Sequence, residues 1–145
     1  MANTKVRPTG SPAGFVARLA VALYDGLILF SISFLTFIPV TVAENYLGDA
    51  PGWLKGFLIM AITYAYFVGF WVKCGATTGM RPWKLRLAMA DTGQPLSLET
   101  ATMRFVGMLV TVVALGLPMI TIYFTRKRQA LHDLLAGTAV FRIKI

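Results

Sequence analysis

The stretch GFVARLAVALYDGLILFSISFLTF, residues 14–37, decides the architecture. It is apolar over the length of a bilayer crossing, yet it carries Arg18 and Asp25. On a helix these two charges lie within about 20° of each other and ~10.5 Å apart along the axis. That is too far for a one-turn ion pair, so each is expected to find a partner on another element. Ala22, Ser33 and Thr36 fall within about 60° of Arg18, and so do Leu29 and Ile32. The stripe is therefore mixed, but its charges predict that it faces protein or water rather than lipid. Arg18 sits where snorkelling to headgroups is the plain alternative. Asp25, ~9 Å deeper than Leu19, is either half of a buried ion pair that fixes packing, with Arg104 as a partner, or a functional carboxylate.

Composition supports a membrane setting. Of 145 residues 57% are hydrophobic and 14% charged, against about a quarter charged in soluble domains, and mean hydropathy is +0.67. The length suits one compact membrane domain. Fourteen Lys and Arg against six Asp and Glu give a formal charge of +8. These cations flank apolar runs, where they set orientation and meet lipid headgroups, so no nucleic-acid partner is expected. Cys74 is the single cysteine, which leaves no disulfide framework or thiolate cluster.

Residues 1–13 read as a disordered cytoplasmic lead, and 14–145 as a single membrane domain. The run that follows the lead is too long for a signal-peptide core and reads as an uncleaved helix, about 15–43. An outer loop, 44–52, precedes a second helix, about 53–73, bounded by Trp53 and Trp71 at the interfaces. Basic residues gather before the first helix and after the second, so both ends of this hairpin are expected in the cytoplasm. A cytoplasmic loop and strand, 74–96, lead to a third apolar segment, about 97–124, interrupted at Gly116–Pro118. A basic helix and strand fill 125–145, with Gly137 as the helix stop.

The third segment is expected to re-enter rather than span. A span would export Arg126, Lys127, Arg128, Arg142 and Lys144 against the positive-inside rule. It would also separate 84–90 from 138–145, two short alternating stretches that most simply pair with each other. About eleven residues before Gly116 and about six after Pro118 are each too few for a ~30 Å helical crossing. An ordinary span is the alternative. The fold class expected is thus mainly α: a polytopic helical hairpin, a re-entrant segment and a small cytoplasmic two-stranded β element.

Near the end, Asp133 is placed to pair with Arg18. Arg104 can reach Asp25 or a lipid phosphate. His132, the only histidine, has no second ligand at metal spacing, so no metal site is expected. The stretch Gly75-Ala-Thr77-Thr-Gly79-Met-Arg81-Pro-Trp83-Lys lacks the ending of a phosphate-binding loop. Its glycines suit a tight exit from the second helix, and Arg81 and Trp83 suit the interface.

Taken together these residues resemble the RDD family of small bacterial membrane proteins, named for an arginine and two aspartates. The matches are Arg18 in F-x-x-R-L, Asp25 in L-Y-D and Asp133 in L-H-D-L-L-A-G-T. The family's loop signature is similar to G-x-T-x-G-M-R-x-W-x-L-R, read from Gly75 to Arg86. The resemblance runs over roughly residues 14–143. It implies a bacterial inner-membrane protein with a transport role, and for some members cation/proton antiport.

Two functional classes stay open. In the first, Arg18, Asp25 and Asp133 form an ion or proton site for small cations, which requires a homo-oligomer or a partner membrane protein because this chain is too small to enclose a path. In the second, the charges are structural and the cytoplasmic face docks another protein, as in a scaffold, assembly factor or regulator. No catalytic constellation appears, so neither an enzyme nor a cofactor is expected.

Overall fold

The computed structural model describes residues 10–114, 121–124 and 129–143. Two long helices come first, α1 (Phe15–Leu47) and α2 (Gly52–Cys74), and both are long and apolar enough to cross a membrane. A 3₁₀ turn (Thr78–Met80), β1 (Leu85–Met89), α3 (Leu98–Val113), two short helices α4 (Thr121–Phe124) and α5 (Leu131–Leu135), and β2 (Thr138–Arg142) follow.

Helix α1 continues past Pro39 and outruns the expected boundary at 43, reaching Leu47. Proline deletes one ladder hydrogen bond, but in an apolar run every further break would leave more backbone unsatisfied. The helix closes at Gly48, φ 87°, whose N–H reaches the Glu44 carbonyl. Glu44 then binds the turn with its carboxylate, which accepts the Ala50 N–H at 2.8 Å and pairs with Lys55 at 2.7 Å. The loop is consequently shorter than 44–52. At the other end α2 stops at Gly75, which takes the left-handed conformation expected of a helix-terminating glycine (φ 63°).

Packing is concentrated at the sheet end of the hairpin. In α1 only Ala17, Arg18 and Asp25 are buried, and in α2 only Tyr66, Val68 and Trp71. The stripe predicted to face protein is covered only at its start: Ala22 is exposed, while Ser33 and Thr36 are half-buried. Ser31 and Thr36 return their hydroxyls to carbonyls of their own helix, so neither needs a partner. Large apolar side chains such as Phe30, Phe34, Trp53 and Phe57 are exposed.

The two strands pair antiparallel, with Leu87 opposite Val140. The alternation read from the sequence is met, because Leu85 and Leu87 turn inward and Arg86 outward. The opposite edge of β2 is occupied too: the Ala13 N–H bonds the Val140 carbonyl, and the Arg142 N–H bonds the Ser11 carbonyl. Residues 11–13, assigned to the disordered lead, are thus docked; residues 1–9 lie outside the described residues. Backbone pairing overrides the polar, proline-containing composition there.

Helix α3 starts at Ser97, whose hydroxyl accepts the Thr100 N–H, and it buries Ala101, Arg104, Phe105 and Thr111 at helical spacing. It ends well short of the expected 97–124 segment. The predicted bend at Gly116–Pro118, and the basic residues 126–128 and 144, lie outside the described residues. Gly137 (φ 62°) ends α5 as expected, and its carbonyl accepts the Ala90 N–H. A β-carbon there is strained by the left-handed backbone. Gly137→Ala is expected to lower stability by about 1 kcal/mol and Gly137→Asn by less, measured by thermal unfolding in detergent.

Candidate functional site

Two buried carboxylates define two polar centres, and they differ in kind. Asp133 is fully buried and sits between two guanidiniums. Arg18 Nη1 donates to its Oδ2 at 2.5 Å, and Arg104 Nη1 meets its Oδ1. The predicted Arg18–Asp133 pair is therefore present. The predicted Arg104–Asp25 pair is not: α3 presents Arg104 to α5, and its burial also rules out the alternative of a lipid phosphate. The reason is local. Asp133 lies in the first turn of α5, where its Oδ2 also accepts the Ala130 N–H at 3.2 Å, and this fixes the carboxylate facing both arginines.

The surplus positive charge is spread over neutral groups. Arg104 donates to Thr138 Oγ1 at 2.8 Å and lies over the Trp71 ring at 5.0 Å, a favourable face for a desolvated cation. His132 stands beside the pair with Nδ1 3.3 Å from Thr111 Oγ1. Burial, and then the charges of Arg104 and Arg18, push its pKa down to about 2. His132 is consequently neutral at ordinary pH and adds no third cation. Through Asp133 the centre joins α1, α3 and α5.

Asp25 is 2% exposed and has no cationic partner among the described residues. Its donors are neutral. Tyr66 Oη donates to Oδ1 at 2.7 Å, Thr77 Oγ1 to Oδ2 at 2.6 Å, and the Gly79 N–H to Oδ1 at 2.9 Å. The 3₁₀ turn after Thr77 delivers that N–H, and only glycine permits the approach. A β-carbon at position 79 would stand 2.6 Å from Asp25 Oδ1 and 2.9 Å from the Val21 carbonyl. Asp25 thereby ties α1 to α2 and to the loop.

The site expected from the sequence is thus divided: Arg18 and Asp133 belong to one centre and Asp25 to the other. The loop signature is divided as well. Thr77 and Gly79 bind Asp25, and Gly75 shapes the exit from α2. Arg81 and Trp83 are exposed and belong to neither centre. Sequence reasoning missed Tyr66 and Thr138, and it set Trp71 at the interface, whereas the ring is buried against Arg104. Tyr66 left one trace, a hydroxyl in an apolar helix in the same half of the hairpin as Asp25. Among the described residues no group of three or more His, Cys, Asp or Glu is placed to hold a metal ion.

The buried pair should be energetically coupled. A double-mutant cycle on Arg18→Gln and Asp133→Asn, read from unfolding in detergent, is expected to give about 3 kcal/mol or more. The same cycle on Glu44 and Lys55, where Lys55 is open to water, is expected to give clearly less. Equal couplings would contradict the buried geometry.

No curated protein and no solved structure matches the chain. A model of the RDD family matches residues 12–137, a span that takes in both carboxylates, both buried arginines and the loop between α2 and β1. Two apolar helices and this match are what a membrane protein would show. The chain belongs to the RDD family.

Proposed function

We propose that the chain is an integral protein of the bacterial cytoplasmic membrane that exchanges a small cation for a proton at Asp25, acting as a homo-oligomer or with a partner membrane protein. The observation that carries this reading is the contrast between the two carboxylates. Asp133 is neutralised by arginines, whereas Asp25 is held in an apolar helix by neutral donors alone. A buried carboxylate without a counter-charge is costly in its charged form and is relieved by a proton or a bound cation. Competition of the two for one carboxylate is the minimum chemistry of exchange. The Tyr66 and Thr77 hydroxyls suit both states, since each can donate to the carboxylate or turn a lone pair toward a cation. Arg18 and Asp133 then serve as the clamp that holds the start of α1.

The membrane arrangement has its own support. Lys73 lies in the last turn of α2 and Arg81, Lys84 and Arg86 follow it, while 48–51 holds no basic residue, which supports a cytoplasmic N-terminus and sheet. Pairing of β1 with β2 requires both strands on one side. At 16 residues α3 is ~24 Å long, short of a ~30 Å crossing. It carries Val106, Val110 and Val113 exposed, as suits a segment that enters the lipid and returns. The uncovered apolar faces of α1 and α2 provide the surface for oligomer contacts that a path needs.

A second reading is favoured by the dryness of Asp25. Three hydrogen bonds at 2% exposure also describe a fixed pin in a non-transporting scaffold, assembly factor or regulator. No enzymatic activity is proposed in either case. The test is cation-driven proton movement in proteoliposomes. Exchange predicts flux from the wild type that falls to the empty-vesicle level in Asp25→Asn and is reduced in Tyr66→Phe, with both variants folded. No flux from folded wild type would transfer the assignment to the scaffold reading.

A further inference from the structure

Beyond the two carboxylate centres, a pocket of about 290 Å³ lies at the exit of α2, lined by Arg81, Lys84 and Arg86 with Cys74, Ala76 and Leu85. No acidic residue lines it, and none of the three cations has a carboxylate partner among the described residues. The buried arginines, by contrast, are both paired.

Defined backbone gathers the cations. The Gly75 carbonyl accepts the Leu87 N–H at 2.7 Å and lays the loop against β1. The Arg81 carbonyl accepts the Lys84 N–H at 3.0 Å, and Lys84 takes a left-handed conformation at φ 52°. Its carbonyl in turn accepts the Ile143 N–H at 2.8 Å. Three like charges held together repel one another, and an anion between them relieves that repulsion. Two guanidiniums and an ammonium suit the oxygens of a phosphate group.

We propose that this pocket binds the phosphate group of an anionic phospholipid. The pocket begins at Cys74, the last residue of α2, and exposed Trp83 lies in the 81–84 turn beside Lys84, an arrangement suited to headgroup level. The lipid source, though not the phosphate chemistry, rests on α2 spanning the membrane as proposed above.

Cys74 is the single cysteine, is exposed and lines the pocket, so its labelling rate with an uncharged maleimide reports occupancy. The full chain in uncharged detergent is titrated with dioctanoyl phosphatidylglycerol, with inorganic phosphate, and with dioctanoylglycerol, which lacks the phosphate. The rate is expressed relative to the ligand-free rate of each variant. Phosphatidylglycerol should slow labelling at lower concentration than inorganic phosphate, and dioctanoylglycerol should not slow it. Arg86→Gln and Lys84→Asn should each raise the half-protecting lipid concentration about tenfold. Asparagine tolerates the left-handed backbone, so Lys84→Asn removes the charge while preserving the turn. Equal protection by lipid and dioctanoylglycerol, unchanged protection in both variants, or no protection by either phosphate compound would overturn the proposal. Protection by inorganic phosphate at concentrations as low as the lipid requires would overturn the lipid source. The assay needs no transport, so its failure leaves exchange at Asp25 standing.

Discussion

Asp133 is the constraint on which the rest depends, because it holds two guanidiniums that have left water. A buried arginine without a partner is heavily penalised, and removing one member of a buried pair typically costs several kcal/mol. Arg18 comes from α1, Arg104 from α3, and the carboxylate from the first turn of α5. The α5–β2 segment is thereby set against both helices, and β2 starts immediately after Gly137, beside β1. The sheet and the docked residues 11–13 follow from that placement. The hydrophobic core gathers around it, with Phe105, Val68 and Trp71 on the adjoining helix faces.

The second carboxylate obeys a different logic. Asp25 also joins elements distant in sequence, but its partners carry no charge. Asp133 is thus fixed by ion pairs in one arrangement, whereas Asp25 is held by hydrogen bonds alone. Residues 26–47 of α1 and 52–63 of α2 contribute little to either centre. Their apolar faces are stable only in a medium that does not penalise exposed hydrocarbon. The pinned turn at Glu44 and Lys55 then sets the hairpin's far end without packing.

Much of this was legible in the sequence, and the reasons can be traced to particular residues. Long apolar runs gave the two helices, and alternation in 84–90 and 138–145 gave the sheet. The Arg18–Asp133 pair was legible because two charges in apolar surroundings must find opposite partners. That same rule misled for Asp25. A carboxylate in an apolar helix suggested an arginine, and Arg104 was the nearest in kind, yet hydroxyls and a backbone N–H met the need. Neutral donors carry no such signal at a distance, so Tyr66 could not be singled out. Thr77 and Gly79 appeared only as members of a loop pattern, with no indication of what they bind. The expected helix, about 15–43, already ran through Pro39, and only its last turn to Leu47 was missed.

Asp25, and not Asp133, is the carboxylate proposed to have its charge answered by a cation or proton. The most direct test is a cation-induced infrared difference spectrum of the full chain in lipid, with aspartate carboxyl groups isotopically labelled. Exchange at Asp25 requires a carboxyl band that changes on adding the cation and is absent in Asp25→Asn. A band that persists in Asp25→Asn, or a wild-type spectrum with no carboxyl change, would contradict it.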